Sequence, residues 1–331
     1  MNHKVFYLTL STLLAAIIIL ITAIIHQYHS GTIKDTNASR LGVSRLECPK
    51  QKETVNIVLI TDSYYVVPTS VSISSAIKNK CPSSIYNFYI IAENITEKEK
   101  QSLLKLQQQA PQTVNIEIIP QSEPDLPYQN MQRFLWYKVA MHKIFLPQIL
   151  QKLDKVIYMD GDTLVLKDLR DLYKIDVDDV YAAVAKDGIY YRFPQEMAEM
   201  GLDKRGYYFN SGVMLHNLKL QRQDNIVKKS IEYINSHQDF FGDQDVLNVV
   251  FGDKLKLMSY RYNCISTFFE QDDLTFLSHF YGEELPQNRT QIYQQAVIIH
   301  YAGDKPWHEK YKPLFLKNLW FRYYNATKDL Q

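Results

Sequence analysis

The chain has 331 residues, of which 46% are hydrophobic and 22% are charged. That length allows one large domain or two smaller ones, and the balance is typical of a folded protein with a well-buried core. The formal net charge of +1 provides none of the basic field that nucleic-acid-binding proteins use, so we predict no nucleic-acid partner.

An uncharged apolar run occupies residues 5–25. As an α-helix rising about 1.5 Å per residue it would be about 31 Å long, which is the hydrocarbon thickness of a bilayer. A cleaved signal peptide has a shorter apolar core and a small-residue cleavage site, and no such site follows this run. We therefore predict a retained transmembrane anchor at 5–25, a stem or linker at 26–54 and one folded domain at 55–331.

The orientation of this anchor stays open. Lys4 precedes the apolar run whereas Lys34 and Arg40 follow it, so the positive-inside rule gives little bias. One alternative is a single-pass type II protein of the Golgi or secretory pathway, and the other is a bacterial inner-membrane protein with a cytoplasmic catalytic domain. Glycosylation sequons, which mildly favour the first alternative, begin at Asn37, Asn94, Asn288 and Asn325. At most one internal disulfide can form among Cys48, Cys81 and Cys264.

Strand-like and helix-like segments alternate from about residue 54 onward. Such alternation predicts an α/β domain with a mainly parallel sheet, and these sheets bind ligands beyond the carboxyl ends of their strands. Apolar runs predict strands at 54–61, 86–92, 114–120, 155–159, 181–187, 207–215 and 296–303. Helices are predicted at 71–79, from the capping box at Thr96, at 134–153 with an interruption at Pro147, and at 242–251.

Two carboxylates, Asp160 and Asp162, follow the strand predicted at 155–159. Side chains two residues apart on a strand point the same way, so both can converge on one hard cation. Gly161 between them leaves room for a phosphate or sugar. Asp-Gly-Asp also serves as an ordinary turn, and the tripeptide alone does not separate these alternatives. Further polar residues end other apolar runs, namely Asp62, Asp187 and His300.

With these motifs in place, roughly residues 55–310 resemble glycosyltransferase family 8. The resemblance implies a single-domain GT-A fold with a mainly parallel, Rossmann-like sheet. It also implies retaining transfer of glucose, galactose or xylose from a UDP-sugar to a hydroxyl of a glycan, glycolipid or glycoprotein. Five motifs carry it in order: IVLITDSYYVVPTSVSISSAI, DKVIYMDGDTLVLKDL, FNSGVMLHNL, GDQDVLNVVF and IIHYAGDKPW.

The resemblance implies a divalent ion, Mn²⁺ or Mg²⁺, held by Asp160, Asp162 and His300. Two carboxylates and an imidazole suit Mn²⁺ better than Ca²⁺. Without the resemblance, His300 would be expected to be a buried core histidine. The donor-binding residues that it implies are Thr61, Asp62 and Tyr65 for the uridine, Asn210 and Ser211 for the sugar, Gly161, and Gly303 with Lys305 for the diphosphate. The chain departs from many relatives at Tyr64, where they have asparagine.

The catalytic residues implied by the resemblance are Asp187, which grips sugar hydroxyls, and the pair Asp243 and Gln244 beside the anomeric carbon. An alternative for the pair is a helix N-terminal cap. Many relatives also carry an arginine before the Asp-x-Asp strand, and this chain offers His142 or Lys143 instead. We favour Lys143, whose charge replaces part of that role without a bidentate fork.

Two other classes of function compete with a transferase. One is a catalytically silent nucleotide-sugar or glycan-binding protein on the same fold, which would not need the complete set of Asp160, Asp162, His300 and Lys305. The other is a metal-dependent phosphohydrolase, and the sequence lacks the glycine-rich phosphate loop that would favour it.

Overall fold

The computed structural model describes residues 48–126, 135–237 and 242–328. The predicted anchor at 5–25 and the predicted stem up to residue 47 lie outside these ranges. Within them, no helix is both long and apolar enough to cross a bilayer. Residues 48–331 form one compact unit.

The strands of the described residues form two sheets. Their bounds are β1 (Glu53–Asp62), β2 (Ser84–Glu93), β3 (Val114–Gln121), β4 (Lys155–Met159), β5 (Thr163–Val165), β6 (Ala182–Asp187), β7 (Tyr208–Asn217), β8 (Leu255–Leu257), β9 (Cys264–Ile265) and β10 (Ile298–His300). The larger sheet has the order β3-β2-β1-β4-β7-β6-β8, and the smaller sheet has the order β5-β10-β9.

The larger sheet is mainly parallel, as the alternation of segments predicts. The β1 strand pairs in parallel with β2 and β4, and β2 with β3, whereas β7 is antiparallel to β4 and β6. Because β7 runs backwards, its first residues lie at the same edge as the last residues of β4 and β6. Asn210 and Ser211 on β7 are thereby placed beside the carboxyl ends of the parallel strands.

Helices connect the strands. The α-helices are α1 (Val66–Asn79), α2 (Glu97–Lys105), α3 (Leu146–Ile149), α4 (Arg170–Tyr173), α5 (Ile189–Arg192), α6 (Pro194–Glu199), α7 (Leu218–Gln223), α8 (Ile226–Ser236), α9 (Gly242–Phe251), α10 (Ser266–Gln271), α11 (Leu274–Tyr281), α12 (Arg289–Gln295) and α13 (Leu314–Lys328). Residues Leu106–Gln109, Leu135–Phe145 and Tyr260–Tyr262 form 3₁₀ helices. The predicted capping box opens α2, with Thr96 and Glu99 bonding each other's backbone N–H.

The β1 strand is buried on both faces, which explains its continuous apolar run. Ile57 and Leu59 belong to one core cluster together with Ile73 of α1. Val58 and Ile60 belong to a second cluster, which contains residues of α9 and of the 3₁₀ helix at Leu135–Phe145. Packing from both sides fixes the carboxyl end of β1 and of its neighbour β4, where the polar residues lie.

Two predicted elements differ from the structure. The segment 134–153 is not one helix, because Leu135–Phe145 is 3₁₀ and only Leu146–Ile149 is α-helical. Pro147 lies in the first turn of α3, where its missing N–H needs no partner, and it could not sit within a continuous α-helix. The strand predicted within 296–303 is confined to the three residues of β10, and one further backbone bond, from the Tyr301 N–H to the Asp162 carbonyl, follows it.

The folded domain begins before residue 55. Glu53 and Thr54, which the sequence assigns to the stem, are the first residues of β1. Cys48 is tied by a disulfide to Cys81, which follows α1, and Cys264 is a buried free thiol.

Candidate active site

Three possible metal ligands lie together where the two sheets meet. Asp160 and Asp162 follow β4, and His300 ends β10, where it pairs with Thr163 of β5. His300 Nε2 lies 3.6 Å from Asp160 Oδ2 and 3.4 Å from Asp162 Oδ1. One ligand atom from each of the three residues lies within 4.8 Å of the other two. The strand ends thus bring the three residues predicted to hold the metal ion into one cluster.

The chemistry of this cluster fits a divalent cation. Asp162 Oδ1 is buried and has no hydrogen-bond partner among the described residues. His300 Nδ1 bonds Asn263 Oδ1 at 3.0 Å, so Nε2 is the ring nitrogen that faces the two carboxylates. A Cβ on Gly212 would clash with His300 Cε1 and lie 2.7 Å from Asp160 Oδ2, so glycine allows β7 to pack closely against the cluster. Carboxylate oxygens and an imidazole nitrogen suit a metal such as Mn²⁺.

Lys305 carries its charge to the same cluster. Its Nζ binds Asp162 Oδ2 and donates to the Tyr301 carbonyl at 3.0 Å. Burial alone would raise the pKa of Asp162, but the Lys305 ammonium outweighs it and holds this pKa well below its ordinary value. Asp162 is therefore ionised at neutral pH. The predicted contact of Lys305 with a diphosphate remains a prediction.

Lys143 is a buried cation inside the site. Its Nζ lies 2.7 Å from Asp243 Oδ2 and 3.4 Å from Asp160 Oδ1, and it lies over the ring of Tyr158. Burial would lower the pKa of the Lys143 ammonium, but Asp160 and Asp243 outweigh burial and raise it. His142, the other candidate, bonds Glu93 at 2.8 Å instead. The structure therefore places Lys143, and not His142, beside Asp160 and Asp243.

The residues predicted to act at the sugar form a connected polar set. Ser211 Oγ donates to Asp243 Oδ2 at 2.8 Å, and the Ser211 N–H donates to Gln244 Oε1 at 2.9 Å. Gln244 Nε2 in turn donates to Asp187 Oδ2 at 3.3 Å. Among the described residues, these contacts of Asp243 and Gln244 run to β6, β7 and Lys143 rather than to the N–H groups of α9. The helix-cap alternative is therefore not what the contacts show.

Asn210 joins this set to the metal cluster. Its Nδ2 donates to Asp187 Oδ2 at 2.9 Å, and its Oδ1 accepts from the Gly212 N–H and from Asn263 Nδ2, each at 2.9 Å. With the contact between Asn263 and His300, the polar contacts close a ring that returns to Asp160. The ring consists of Asp160, Lys143, Asp243, Ser211, Gln244, Asp187, Asn210, Asn263 and His300.

The residues predicted to hold the uridine lie where β1 ends and α1 begins. Asp62 Oδ1 accepts the Tyr65 N–H at 2.9 Å, and Thr69 Oγ1 donates to Thr61 Oγ1 at 3.2 Å. A Cβ on Gly161 would lie 2.5 Å from Thr69 Oγ1, so the close packing of α1 by itself requires glycine there. The predicted ligand contacts of these residues remain predictions.

Trp307, in the loop after β10, packs against the residues at the start of α1. Trp307 meets the ring of Tyr65 edge-on, with 6.2 Å between the ring centroids. Gly303 lies in this loop with φ +83°, a conformation that glycine adopts without strain. Its predicted contact with a diphosphate remains a prediction.

Sequence reasoning missed two residues of the site, Asn263 and Gly212. Gly212 lies inside the quoted motif FNSGVMLHNL, and a glycine in a strand interior is a signal of close approach. Asn263 gave only a weak signal, a polar residue just before the short buried strand β9. Its partners come from β7 and β10, so only the folded chain shows what it bonds.

A mainly parallel α/β sheet with paired aspartates, a histidine and amides at its carboxyl edge defines a GT-A-like glycosyltransferase fold. Residues 56–311 match the family described as glycosyl transferase family 8. This chain belongs to that family and is a glycosyltransferase.

Individual relatives agree with this assignment. A lipopolysaccharide 1,2-glucosyltransferase of Escherichia coli is 28% identical over 270 residues, which cover 78% of this chain and 75% of the relative. The galactosyltransferase LgtC, solved with donor and acceptor sugar analogs, superposes with a TM-score of 0.68 at 22% identity over 82% of this chain and 96% of its own. Mouse xyloside xylosyltransferase 1 gives a TM-score of 0.55 at 14% identity, over 77% of this chain and 99% of its own. The two structural similarities show the fold.

Proposed function

We propose that this protein is a metal-dependent, retaining glycosyltransferase that moves glucose, galactose or xylose from a UDP-sugar to a hydroxyl of a glycan, glycolipid or glycoprotein. The observation that carries the proposal is the cluster of Asp160, Asp162 and His300, in which a buried Asp162 oxygen has no hydrogen-bond partner among the described residues. In a glycosyltransferase of this fold, these three residues would hold a divalent ion.

Each residue of the site has a task in this proposal. When bound, Mn²⁺ would supply a Lewis acid that neutralises the charge developing on the departing UDP. Lys305 would add positive charge at the diphosphate, and Lys143 would hold Asp160 and Asp243 in place. Gln244 and Asp187 would contact the sugar. Gln244 is a poor nucleophile, which favours attack on the same face of the sugar, with a phosphate oxygen assisting deprotonation, over a covalent intermediate.

The relatives support a saccharide acceptor. The name of the Escherichia coli relative specifies a glucosyl transfer to lipopolysaccharide, and LgtC is named as a galactosyltransferase. A glycolipid acceptor would also suit an enzyme held at a membrane by the anchor that we predict at residues 5–25. We therefore propose UDP-glucose and UDP-galactose as the first donors to test.

The test measures UDP release from a panel of UDP-sugars, with and without saccharide acceptors. Chelation should abolish transfer, and Mn²⁺ should restore it better than Ca²⁺. Asp162→Asn should lower kcat by about 100-fold or more, because a metal ion supplies several kcal/mol of transition-state stabilisation. Asp154→Asn, at an exposed aspartate that pairs with Arg222, serves as the matched control and should act like wild type.

The outcomes separate the three classes of function. UDP release that needs an acceptor supports the transferase, whereas UDP binding without turnover would indicate a silent binding protein. Phosphate release without sugar transfer would indicate a phosphohydrolase. Full transfer by verified metal-free protein would contradict metal dependence.

We also propose the arrangement at the membrane: an anchor at 5–25, a stem, and a catalytic domain that starts near Cys48. The disulfide between Cys48 and Cys81 supports the type II, secretory-pathway alternative, because structural disulfides persist in oxidising compartments and are rare in the cytosol. Asn94, Asn288 and Asn325, which begin sequons, are all exposed, which supports the same alternative. The bacterial relatives support the other alternative, in which the domain faces the cytoplasm and its cysteines are reduced.

A further inference from the structure

Two buried amides, those of Asn263 and Asn210, connect the imidazole of His300 to the carboxylate of Asp187. Asn263 is fully buried and Asn210 nearly so. The contacts run from His300 Nδ1 to Asn263 Oδ1 at 3.0 Å, from Asn263 Nδ2 to Asn210 Oδ1 at 2.9 Å, and from Asn210 Nδ2 to Asp187 Oδ2 at 2.9 Å. Metal cluster and sugar pocket are thus joined by a continuous line of hydrogen bonds.

The donor and acceptor of each hydrogen bond in this line follow from the carboxylate of Asp187, where the line ends. An ionised carboxylate only accepts, so Asn210 must turn its NH₂ group to Asp187. The Gly212 N–H, which only donates, bonds Asn210 Oδ1 at 2.9 Å and requires the same orientation. Asn263 must then donate its NH₂ group to Asn210 and present its oxygen to His300. An oxygen at that position requires a proton on His300 Nδ1.

The protonation of Nδ1 decides what Nε2 can do. A neutral imidazole with its proton on Nδ1 carries its lone pair on Nε2, which is the atom 3.4 Å from Asp162 Oδ1 and 3.6 Å from Asp160 Oδ2. The opposite tautomer would direct an N–H into the space between the two carboxylates and remove the nitrogen ligand. The bond from the other ring nitrogen therefore prepares His300 as a ligand before any cation arrives.

We propose that Asn263 is a positioning residue that fixes the tautomer and ring orientation of His300 and, through Asn210, couples metal binding to the sugar pocket. Asn263 is well placed for this task, because it lies between the 3₁₀ helix Tyr260–Tyr262 and β9, and β9 pairs with β10 opposite His300. The inference rests on the proposed metal dependence of the enzyme. It goes further by assigning a role to Asn263, whose side-chain hydrogen bonds among the described residues run to His300 and Asn210.

The first test uses the full chain without metal. Nitrogen-15 NMR of labelled histidine distinguishes a protonated Nδ1 from a protonated Nε2, and the His300 signal is assigned by its loss in His300→Gln. We expect His300 to be protonated on Nδ1 in the wild type and to be a mixture of tautomers in Asn263→Ala. A neutral His300 ring protonated on Nε2 alone in the wild type would overturn the proposal, whether or not the protein uses a metal.

The second test titrates Mn²⁺ into the same proteins by calorimetry, without donor. Asn263→Ala should weaken Mn²⁺ binding by about 10–100-fold, the usual effect of removing the partner of a ligating histidine. Asn263→Asp keeps an acceptor for the His300 Nδ1–H, so Mn²⁺ affinity should stay within a few-fold of wild type. Its carboxylate faces Asn210 Oδ1 with no proton to donate, so the affinity for UDP-sugar should fall instead.

Asn217→Ala is the matched control. Asn217 is a buried asparagine at the far end of β7 that donates to the Val177 carbonyl, so its loss costs stability without touching the site. It should bind Mn²⁺ like wild type. Wild-type affinity for Mn²⁺ in a folded Asn263→Ala protein would overturn the proposal. If Asn263→Ala fails to fold, loss of Mn²⁺ binding in Asn263→Asp would overturn it. Failure of the wild type to bind Mn²⁺ would instead contradict the proposed function, while the NMR result would still decide the tautomer.

Discussion

Two lysines form ion pairs with the carboxylates of this site. Lys143 lies between Asp160 and Asp243, and Lys305 binds Asp162. Each lysine places a positive charge beside carboxylates that are partly or wholly removed from water, which offsets part of the cost of their desolvation. At neutral pH the Lys305 ammonium keeps Asp162 ionised and available as a charged ligand.

His216 is a buried ionisable group that the proposed reaction does not use, and it should make the stability of the domain depend on pH. Burial, aided by the charge of Lys143, lowers its pKa to about 3, and Gln221 Nε2 donates to its Nδ1. A histidine in the unfolded chain has a pKa of about 6.5, so between that pH and pH 3 the unfolded chain binds a proton at His216 and the folded protein does not. The stability contributed by the neutral ring is complete above about pH 6.5 and is lost as the pH falls toward 3.

We expect His216 alone to lower the free energy of unfolding by about 2 kcal/mol between pH 7 and pH 5. His216→Met fills similar space without titrating, so its unfolding free energy should fall by that much less over the same interval. Urea unfolding of both proteins at the two pH values measures the difference. Equal losses in the two proteins would show that His216 is not protonated on unfolding.

The charged residues of the site could be predicted from the sequence, and the amides that orient them could not. Asp160, Asp162 and His300 end apolar runs, and parallel strands bring such ends together. Asn263 bonds residues that lie 53 and 37 positions away along the chain. No local pattern encodes such contacts, so its part in the site required the folded structure.

At the scale of elements, glycine sets how closely α1 approaches the loop after β4. A Cβ on Gly161 would lie 2.5 Å from Thr69 Oγ1 and 3.2 Å from the Tyr65 ring. Gly161→Ala should therefore destabilise the domain by about 1–3 kcal/mol, the usual cost of overpacking a well-packed site. Thr69→Ala should relieve most of that cost, because the hydroxyl is the atom in the way.

A double-mutant cycle in urea tests this contact. The double variant should be more stable than the sum of the single effects predicts, by about 1 kcal/mol or more. Sugar transfer by the double variant then separates two tasks of Gly161. Recovered transfer would show that glycine serves the packing of α1, whereas a stable but inactive double variant would favour the predicted approach of a phosphate or sugar to Gly161.

Elements with a strong apolar pattern were predicted best. The strand predicted at 155–159 and the helix at 242–251 coincide with β4 and α9. The helix predicted at 134–153 is wrong, because its apolar stripe is equally compatible with a 3₁₀ helix and the sequence does not show which backbone the tertiary contacts select. Within that stretch, His142 bonds Glu93 and Lys143 bonds Asp243. The local sequence pattern does not indicate partners that lie so far away along the chain.

At the scale of the whole molecule, one disulfide fastens the beginning of the catalytic domain. It joins Cys48, before β1, to Cys81, after α1, across a separation of 33 residues. Closing a loop of that length in the unfolded chain stabilises a domain by roughly 3–4 kcal/mol in the chain-entropy description. Because Glu53 lies only five residues after Cys48, the bond also ties the segment that leads into β1 to the loop after α1.

The state of this disulfide in the cell distinguishes the two membrane orientations. We expect full-length protein, quenched in acid at harvest to stop thiol exchange and then denatured, to take up one maleimide adduct, at Cys264, before reduction and three after it. Cys81→Ser should give two adducts under both conditions, which controls for the accessibility of Cys264. Reduction should lower the free energy of unfolding of the wild type by roughly 2–4 kcal/mol and leave a variant with both Cys48→Ser and Cys81→Ser unchanged. Three adducts before reduction would place the catalytic domain in a reducing compartment and support the cytoplasmic alternative, since a thiol pair this close forms a disulfide wherever the surroundings are oxidising.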